Sequence, residues 1–223
     1  MFKLSLILPV HNEEAIIEPV FIGIKKALDR LAIRYECLLV ENGSTDDSLT
    51  VIKKLAQKYK NAQAIVAPQG YGSAVLAGLK IAKGKYVAYM PSDGQVDLKV
   101  FPKLWAMAQS DQWDLIKVKR VSRESLARLL VSRVFSLLVK LFFGVPWLDV
   151  NASPRIFLRK HLNLLNLQSQ DSFIDTEFAI KACRLGWRIK EMPMKTLPRL
   201  GGQSTRSWRT FLEFFWNLWK AKS

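Results

Sequence analysis

The chain has 223 residues, of which 49% are hydrophobic and 24% are charged. This length is enough for one well-filled globular domain, and this composition excludes an intrinsically disordered chain. The net charge of +15 favours an anionic partner, which could be a nucleic acid, an anionic membrane or a phosphorylated substrate.

The positive charge is concentrated in the second half of the chain. Residues 1–115 contain 14 Lys/Arg and 12 Asp/Glu, a net of +2, whereas residues 116–223 contain 20 and 7, a net of +13. Cys37 and Cys183 lie in apolar stretches without metal-ligand spacing, so we predict buried thiols and a reducing compartment. The first apolar run is short and leads into Pro9 and two glutamates, so we predict a buried strand in a cytoplasmic protein.

Strand and helix patterns alternate through the first 120 residues. Several of the strand patterns are nearly continuous in apolar character, as expected for strands that are covered on both faces. The alternation predicts a single α/β domain with a doubly wound, mainly parallel sheet, which binds its ligand at the carboxyl ends of the strands. The predicted strands are 3–10, 35–40, 62–67, 85–90 and 113–118, and the predicted helices are 13–31, 46–60, 72–83 and 98–110.

Two amphipathic helices are predicted in the second half. Residues 124–143 have a narrow polar stripe on an otherwise apolar pattern, and residues 207–220 combine large aromatic residues with flanking Lys and Arg. Neither contains the ~20 uncharged residues that a membrane span needs. Large aromatics and basic residues at helical spacing favour contact with a membrane surface. The alternative is that both helices pack on the sheet or on a second subunit of a homodimer.

Three polar segments follow predicted strands and therefore meet at one edge of the sheet. They are residues 9–14 (PVHNEE), 40–47 (VENGSTDD) and 90–95 (MPSDGQ). Each alone is also a good turn or helix cap. Their occurrence in order at the same edge indicates a common binding cleft.

With these segments the chain resembles family 2 glycosyltransferases of the GT-A fold, in particular the dolichyl-phosphate mannose synthase-like branch that uses polyprenyl-phosphate acceptors. The matching segments span nearly the whole chain in family order. They are PVHNE (9–13), VENGSTD (40–46), GYGSAVLAGL (70–79), SDGQ (92–95), DVNASPRIF (149–157), FIDTE (173–177) and RLGGQS (199–204).

The resemblance implies a nucleotide-sugar site in residues 1–115 and an acceptor- and membrane-facing half in residues 116–223. Glu41-Asn42 stands where the family has a pair of aspartates, which keeps one carboxylate with a longer reach. Gly70 and Gly72 are expected to let the backbone approach the nucleotide. The expected nucleotide-sugar residues are Pro9, His11, Glu13, Glu41, Asn42, Gly70, Gly72, Ser92 and Asp93.

The family's metal motif is incomplete in this chain. Its first aspartate is replaced by Pro91, which cannot ligate a metal. Asp93 and Gln95 remain, and their oxygens suit Mg²⁺ or Mn²⁺ on a diphosphate. Nearby cations could neutralise the diphosphate instead.

The expected reaction is sugar transfer from a UDP- or GDP-linked donor to a polyprenyl phosphate, with inversion, at the cytoplasmic face of a membrane. A lipid phosphate is already ionised and needs cations rather than a base. Asp93, Asp175, Arg155 and Arg199 are the expected catalytic residues, with Glu177 beside Asp175. The candidates for contacts to the acceptor phosphate are Arg133, Arg155, Arg199 and Arg206, with Lys119 and Arg120 behind them.

Three alternatives stay open at this point. The first is transfer to a sugar or glycolipid hydroxyl with Asp175 as general base. The second is a catalytically degenerate protein that binds a membrane or a separate membrane subunit, motivated by Pro91 and Asn42. The third, nucleic-acid binding, is disfavoured because the aromatics lie on apolar helical faces.

Overall fold

The fold is a seven-stranded sheet with helices on both faces. It is described by a computed structural model for residues 2–110, 112–122, 126–147 and 149–201. Within these ranges the strands lie in the order β3-β2-β1-β4-β6-β5-β7, and every strand is parallel to the others except β6. The strands are β1 Leu4–Val10, β2 Tyr35–Glu41, β3 Ala62–Val66, β4 Tyr86–Tyr89, β5 Leu115–Arg120, β6 Arg155–Leu158 and β7 Ile189–Met194.

Seven α-helices lie in the described ranges. They are α1 Ile17–Asp29, α2 Ser48–Lys58, α3 Tyr71–Ile81, α4 Phe101–Ala108, α5 Leu126–Phe143, α6 Leu162–Leu165 and α7 Ile174–Arg184. Short 3₁₀ turns at Leu98–Val100 and Arg159–His161 precede α4 and α6. The prediction of a mainly parallel α/β sheet flanked by helices is confirmed.

The sheet separates two hydrophobic cores. In β1, Leu6 and Leu8 pack on the side of α1, α2 and α4, whereas Ile7 packs on the side of α3, α5 and α7. Alternate residues of a strand point to opposite faces, so a strand covered on both sides must be apolar at nearly every position. This explains the continuous apolar run at the start of the sequence.

Helix α5 is buried along one side and exposed along the other. Phe135 and Val139 are buried in the second core, whereas Leu130, Val134, Leu137 and Leu141 are exposed. The exposed residues recur at spacings of three and four, so they form one stripe on the helix surface. No helix of the described ranges is long and apolar enough to cross a membrane.

Some expectations change or lie outside the described residues. Cys37 is buried as predicted, whereas Cys183 is only partly buried. The predicted helix at 207–220 and the candidate Arg206 lie outside the described ranges. Strands β6 and β7 had no counterpart among the predicted strands.

Candidate active site

The polar segments predicted from the sequence meet at the carboxyl edge of the sheet. Strands β1, β2 and β4 run parallel and adjacent, so the loops that follow them start side by side. Strand β7 points the same way, since it is parallel to β5 and β6 is antiparallel to both β4 and β5. The segment after β7 therefore reaches the same edge.

The loops after β1 and β2 are joined by a network of hydrogen bonds. The side-chain Oδ1 of Asn12 accepts from Thr45 N at 2.8 Å, and the backbone N–H of Asn12 donates to Ser44 Oγ at 3.1 Å. Glu14 accepts from Asp47 N at 2.7 Å. His11 Nδ1 lies 3.1 Å from Asn42 O. These contacts join the two loops into one surface, here called the wall.

The pair Glu41-Asn42 is buried in this wall. The Glu41 carboxylate accepts from the amide of Ser44 and so closes the turn that follows β2. Asn42 donates through Nδ2 to Val10 O at 2.9 Å, which ties the ends of β1 and β2 together. An aspartate at this position has no amide hydrogen to donate. This contact gives a structural reason for the departure from the family's two aspartates.

The loop after β4 joins the wall through β1. Ser92 is buried, and its Oγ donates to Pro9 O at 2.7 Å. The next residue, Asp93, is 7% exposed, and its Oδ1 accepts from Gln95 N at 3.1 Å. The segment after β1 therefore contacts both the segment after β2 and the segment after β4.

An arginine from the segment after β7 lies between two acidic side chains of these loops. Arg199 Nη2 is 3.1 Å from Asp93 Oδ2, and Arg199 Nη1 is 3.8 Å from Glu13 Oε1. Glu13 is 8% exposed, and its amide donates to Ser48 Oγ at 2.8 Å. Burial raises the pKa of Glu13 to about 7; Arg199 opposes this shift, whereas Asp93 and Asp46 add to it.

Residues 195–201, here called the strap, carry Arg199 across the edge of the sheet. Leu197 N donates to Gln95 O at 2.9 Å, and Leu200 N donates to Asp93 O at 3.4 Å. Gly94 has a φ of +77°, and a Cβ built on it would lie 2.7 Å from the Leu200 side chain. The strap therefore packs directly on the loop that carries Asp93.

Metal binding by Asp93 and Gln95 stays a prediction, although Asp93 does contact a positive charge in this structure. The Asp93 carboxylate forms an ion pair with the guanidinium of Arg199. The described residues contain no group of three or more His, Cys, Asp or Glu side chains that could hold a metal. Mg²⁺ requires only one or two carboxylates when substrate phosphates supply other oxygens.

Arg155, for which a contact to the acceptor phosphate was predicted, lies in the core, and that role stays a prediction. This arginine is 0% exposed. Its Nη2 lies 2.9 Å from Asp175 Oδ1 and donates to Val150 O, and its guanidinium lies over the rings of Tyr89 and Phe178. A phosphate would have to enter the core to reach it.

Asp175, which was predicted to be catalytic, is buried beside Arg155, and its catalytic role stays a prediction. Asp175 is 2% exposed, and its Oδ1 also accepts from Tyr89 Oη at 3.1 Å. Its carboxylate thus neutralises Arg155 in the core, on the first turn of α7. A general base must reach the acceptor hydroxyl, whereas here the Asp175 carboxylate contacts Arg155 and Tyr89.

Glu177 and the glycines at the start of α3 organise one loop. The Glu177 carboxylate accepts from the amides of Gln168 and Ser169 at 2.8–3.1 Å. A Cβ on Gly72 would lie 2.2 Å from Ser169 O, and one on Gly70 would lie 2.4 Å from Gln170 O. Close approach of the 169–171 backbone requires these glycines, which differs from the predicted reason; their contact with a nucleotide stays a prediction.

Sequence reasoning missed a second buried ionic cluster near the end of β5. Arg120 forms two bonds of 2.7 Å with the Asp149 carboxylate. Lys117 is fully buried beside Glu191 at 3.0 Å, and burial lowers its pKa to about 8. Arg120 is therefore paired with Asp149. Its predicted position behind the acceptor phosphate stays a prediction. Arg133 is exposed on α5.

Comparison with families and relatives gives consistent matches. The family model described as Glycosyl transferase family 2 matches residues 5–162. An uncharacterized glycosyltransferase of Mycobacterium tuberculosis is 32% identical over 206 residues, which is 90% of this chain and 88% of that protein. The undecaprenyl-phosphate 4-deoxy-4-formamido-L-arabinose transferase of Klebsiella pneumoniae is 26% identical over 221 residues, 97% of this chain and 66% of that protein.

Solved structures show the same fold at lower identity. Glucosyl-3-phosphoglycerate synthase from Mycobacterium tuberculosis, in complex with Mn²⁺, UDP and phosphoglyceric acid, has a TM-score of 0.76 and 20% identity, covering 99% of this chain and 78% of that one. The same enzyme with Mg²⁺ and UDP has a TM-score of 0.75 and 20% identity, covering 99% and 79%. The fold of this chain is thus that of a GT-A glycosyltransferase.

Proposed function

The chain is a glycosyltransferase of family 2, and from that premise we propose that it transfers a sugar from a UDP- or GDP-linked donor to a polyprenyl-phosphate acceptor. The observation that carries the proposal is the convergence of the loops after β1, β2 and β4 at one edge, with Asp93 and Arg199 in contact there. Ligands of parallel α/β sheets bind at this edge.

The donor is proposed to bind along the wall that these loops form. Their polar backbone and side-chain groups lie at one edge, as recognition of a nucleoside diphosphate requires. Asp93 and Arg199 would lie at the diphosphate. The nucleotide-sugar residues remain those predicted, namely Pro9, His11, Glu13, Glu41, Asn42, Gly70, Gly72, Ser92 and Asp93.

A lipid phosphate is proposed as the acceptor for two reasons. Relatives from Klebsiella pneumoniae and Shewanella sediminis are each named undecaprenyl-phosphate 4-deoxy-4-formamido-L-arabinose transferase. A phosphate monoester is mostly ionised at pH 7, so no general base is required. An acceptor that needs no general base is consistent with the burial of Asp175 in the core. Arg133 and Arg199 remain candidates for holding that phosphate, and Arg206 remains a candidate outside the described residues.

The proposed step is a displacement with inversion at the anomeric carbon. An oxygen of the acceptor phosphate forms the new bond to that carbon, while the bond from the carbon to the nucleoside diphosphate breaks. The diphosphate leaves with the bonding electron pair and gains negative charge. Arg199 would stabilise that charge, since preorganised cations at a developing anion lower the barrier. A bound Mg²⁺ or Mn²⁺ would add positive charge there, with Asp93 and Gln95 as its predicted ligands.

The proposed location is the cytoplasmic face of a membrane, without a span in the described residues. The exposed stripe of α5 carries four apolar side chains, and Arg133 and Lys140 are exposed on the same helix. Apolar residues flanked by basic ones favour the surface of an anionic bilayer. In this arrangement residues 1–115 bind the donor and residues 116–223 face the acceptor. A separate membrane subunit is the other partner that this surface fits.

The proposal is tested by identifying the labelled product. Purified protein is incubated with a panel of radiolabelled UDP- and GDP-sugars and detergent-dispersed undecaprenyl phosphate, with phosphoglyceric acid and a glycolipid hydroxyl acceptor in parallel reactions. We expect label in an acid-labile glycosyl phosphate lipid. Asp93→Asn should lower turnover about 100-fold or more.

Three results would contradict the proposal. Label in phosphoglyceric acid alone would assign a soluble phosphorylated acceptor, and label that resists mild acid would assign a hydroxyl acceptor. Failure to bind any nucleotide sugar in calorimetry would support the degenerate, non-catalytic alternative.

A further inference from the structure

We propose that Glu13 and Asp93 together form the binding site of a divalent cation, and that the guanidinium of Arg199 stands in for that cation in the free protein. Mg²⁺ or Mn²⁺ would displace Arg199 when it binds. The proposal rests on the proposed function for the need of a cation beside a diphosphate, and it adds a metal ligand that the sequence motif did not predict.

The geometry supplies two carboxylates from two different loops around one positive charge. Asp93 approaches Arg199 from the loop after β4, and Glu13 approaches it from the loop after β1, at 3.1 Å and 3.8 Å. Both residues are buried, with 8% of Glu13 and 7% of Asp93 exposed. Carboxylate oxygens are the ligands that Mg²⁺ and Mn²⁺ prefer.

An unsatisfied atom of Glu13 provides independent support for a cation. Glu13 Oε2 is buried and has no hydrogen-bond partner among the described residues. A buried carboxylate oxygen without a partner is costly, because it has lost its water without gaining another contact. A metal ion beside Asp93 would give this oxygen a partner.

A divalent ion balances the charge of the two carboxylates, whereas the guanidinium of Arg199 does not. When both carboxylates are ionised, which is the form that a bound cation favours, they carry −2 and one guanidinium carries +1, which leaves −1 at a place where a diphosphate is proposed to bind. A divalent ion in place of the guanidinium gives zero and releases Arg199 for the phosphates. Glu13 would thus supply the carboxylate that Pro91 cannot provide.

Arg199 can leave without disturbing the core. It lies on the strap, which has a single isolated bridge between Val96 and Thr196 and is otherwise outside the strands. Leu197 and Leu200 on the strap are exposed. Segments with few buried contacts open at low free-energy cost.

The test is a titration of the full chain with Mn²⁺ in the absence of nucleotide, followed by electron paramagnetic resonance of unbound Mn²⁺. Glu13→Gln should weaken Mn²⁺ binding at least about tenfold, because loss of second-shell groups alone already costs this much. Arg199→Gln should strengthen Mn²⁺ binding, because it removes the competing cation. Glu18→Gln, on the exposed face of the first turn of α1, is the matched control and should bind Mn²⁺ like the unmodified protein.

Two outcomes would overturn the proposal. If Arg199→Gln binds Mn²⁺ no more tightly than the unmodified protein, Arg199 does not compete with a metal. If Glu13→Gln keeps the original affinity, Glu13 is not a ligand. Circular dichroism shows whether each variant is folded. If Glu13→Gln is unfolded, the Mn²⁺ affinity of Arg199→Gln is the deciding measurement. Since no nucleotide or acceptor is present, failure here is separate from failure of the transferase assay.

Discussion

At the scale of single residues, the contrast between Arg155 and Arg199 separates support of the fold from function. Both are arginines paired with an aspartate at about hydrogen-bond distance. Arg155 is sealed in the core under Tyr89 and Phe178, whereas Arg199 is partly exposed on the strap. A fully buried ion pair holds the structure together mainly because either partner alone would be an uncompensated buried charge.

Asp175→Asn is therefore expected to damage stability before catalysis. It leaves the Arg155 guanidinium buried without its anion, so the free energy of unfolding should fall by about 3–5 kcal/mol. Urea unfolding followed by circular dichroism measures this loss. The double variant Arg155→Met/Asp175→Leu should recover part of it, because both charges are removed together. A normal urea midpoint with lost turnover would instead restore Asp175 as a catalytic base.

The sequence predicted which residues reach the edge of the sheet but not how they pair. Asp93, Glu13 and Arg199 were each placed at the site from motif and strand position. Their mutual contact joins positions 13, 93 and 199, and such long-range contacts leave no local pattern. The burial of Arg155 and Asp175 was not predicted, because a motif position does not report burial. The orphaned oxygen of Glu13 likewise becomes visible only in three dimensions.

At the scale of elements, α5 shows what periodicity predicts and what it omits. A helix at 124–143 was expected, and α5 is Leu126–Phe143 in the described residues. The sequence also showed too many apolar positions for one buried face. In the structure, Phe135 and Val139 fill the second core, and Leu130, Val134, Leu137 and Leu141 form the exposed stripe.

Val134→Asp/Leu137→Asp should impair membrane binding without unfolding the protein. Both side chains are exposed, and burying each in the interface would contribute about 1.5–3 kcal/mol. The fraction that cosediments with anionic vesicles should therefore fall about tenfold or more. Leu164→Asp on α6, another exposed leucine, is the control and should bind normally. Equal binding of the two variants would show that the stripe does not contact the bilayer.

The strands differ in how well they could be predicted. Strand β1 is seven residues of nearly continuous apolar character and was recognised at once. Strand β6 has only four residues, Arg155–Leu158, and begins with a buried arginine. Strand β7 contains Lys190, Glu191 and Pro193, which an edge strand tolerates because one side of its backbone is unpaired. Composition alone does not distinguish such a strand from a loop.

At the scale of the whole molecule, charge is divided between the two halves. Residues 1–115 are nearly neutral at +2, and residues 116–223, which include α5, carry +13. Such a division orients a protein toward an anionic surface while leaving the other half unaffected. Orientation by charge is long-ranged and sensitive to salt, whereas insertion of apolar side chains is not.

Binding to anionic vesicles is expected to weaken strongly with salt. Raising NaCl from about 0.1 M to about 1 M shortens the Debye length from about 10 Å to about 3 Å. Each Lys or Arg near the surface contributes about 1 kcal/mol before screening. Cosedimentation with phosphatidylserine vesicles should fall at least about tenfold, and that with phosphatidylcholine vesicles should barely change. Salt-independent binding would show that charge plays no part.

The contact between Arg199 and Asp93 also links two binding equilibria. A cation on a short tether competes at an effective concentration in about the millimolar range. The apparent affinity for Mn²⁺ is therefore the intrinsic affinity of the carboxylates reduced by the fraction of time that Arg199 is away. Phosphate oxygens that attract Arg199 raise this fraction, so nucleotide and metal each tighten the binding of the other by the same factor.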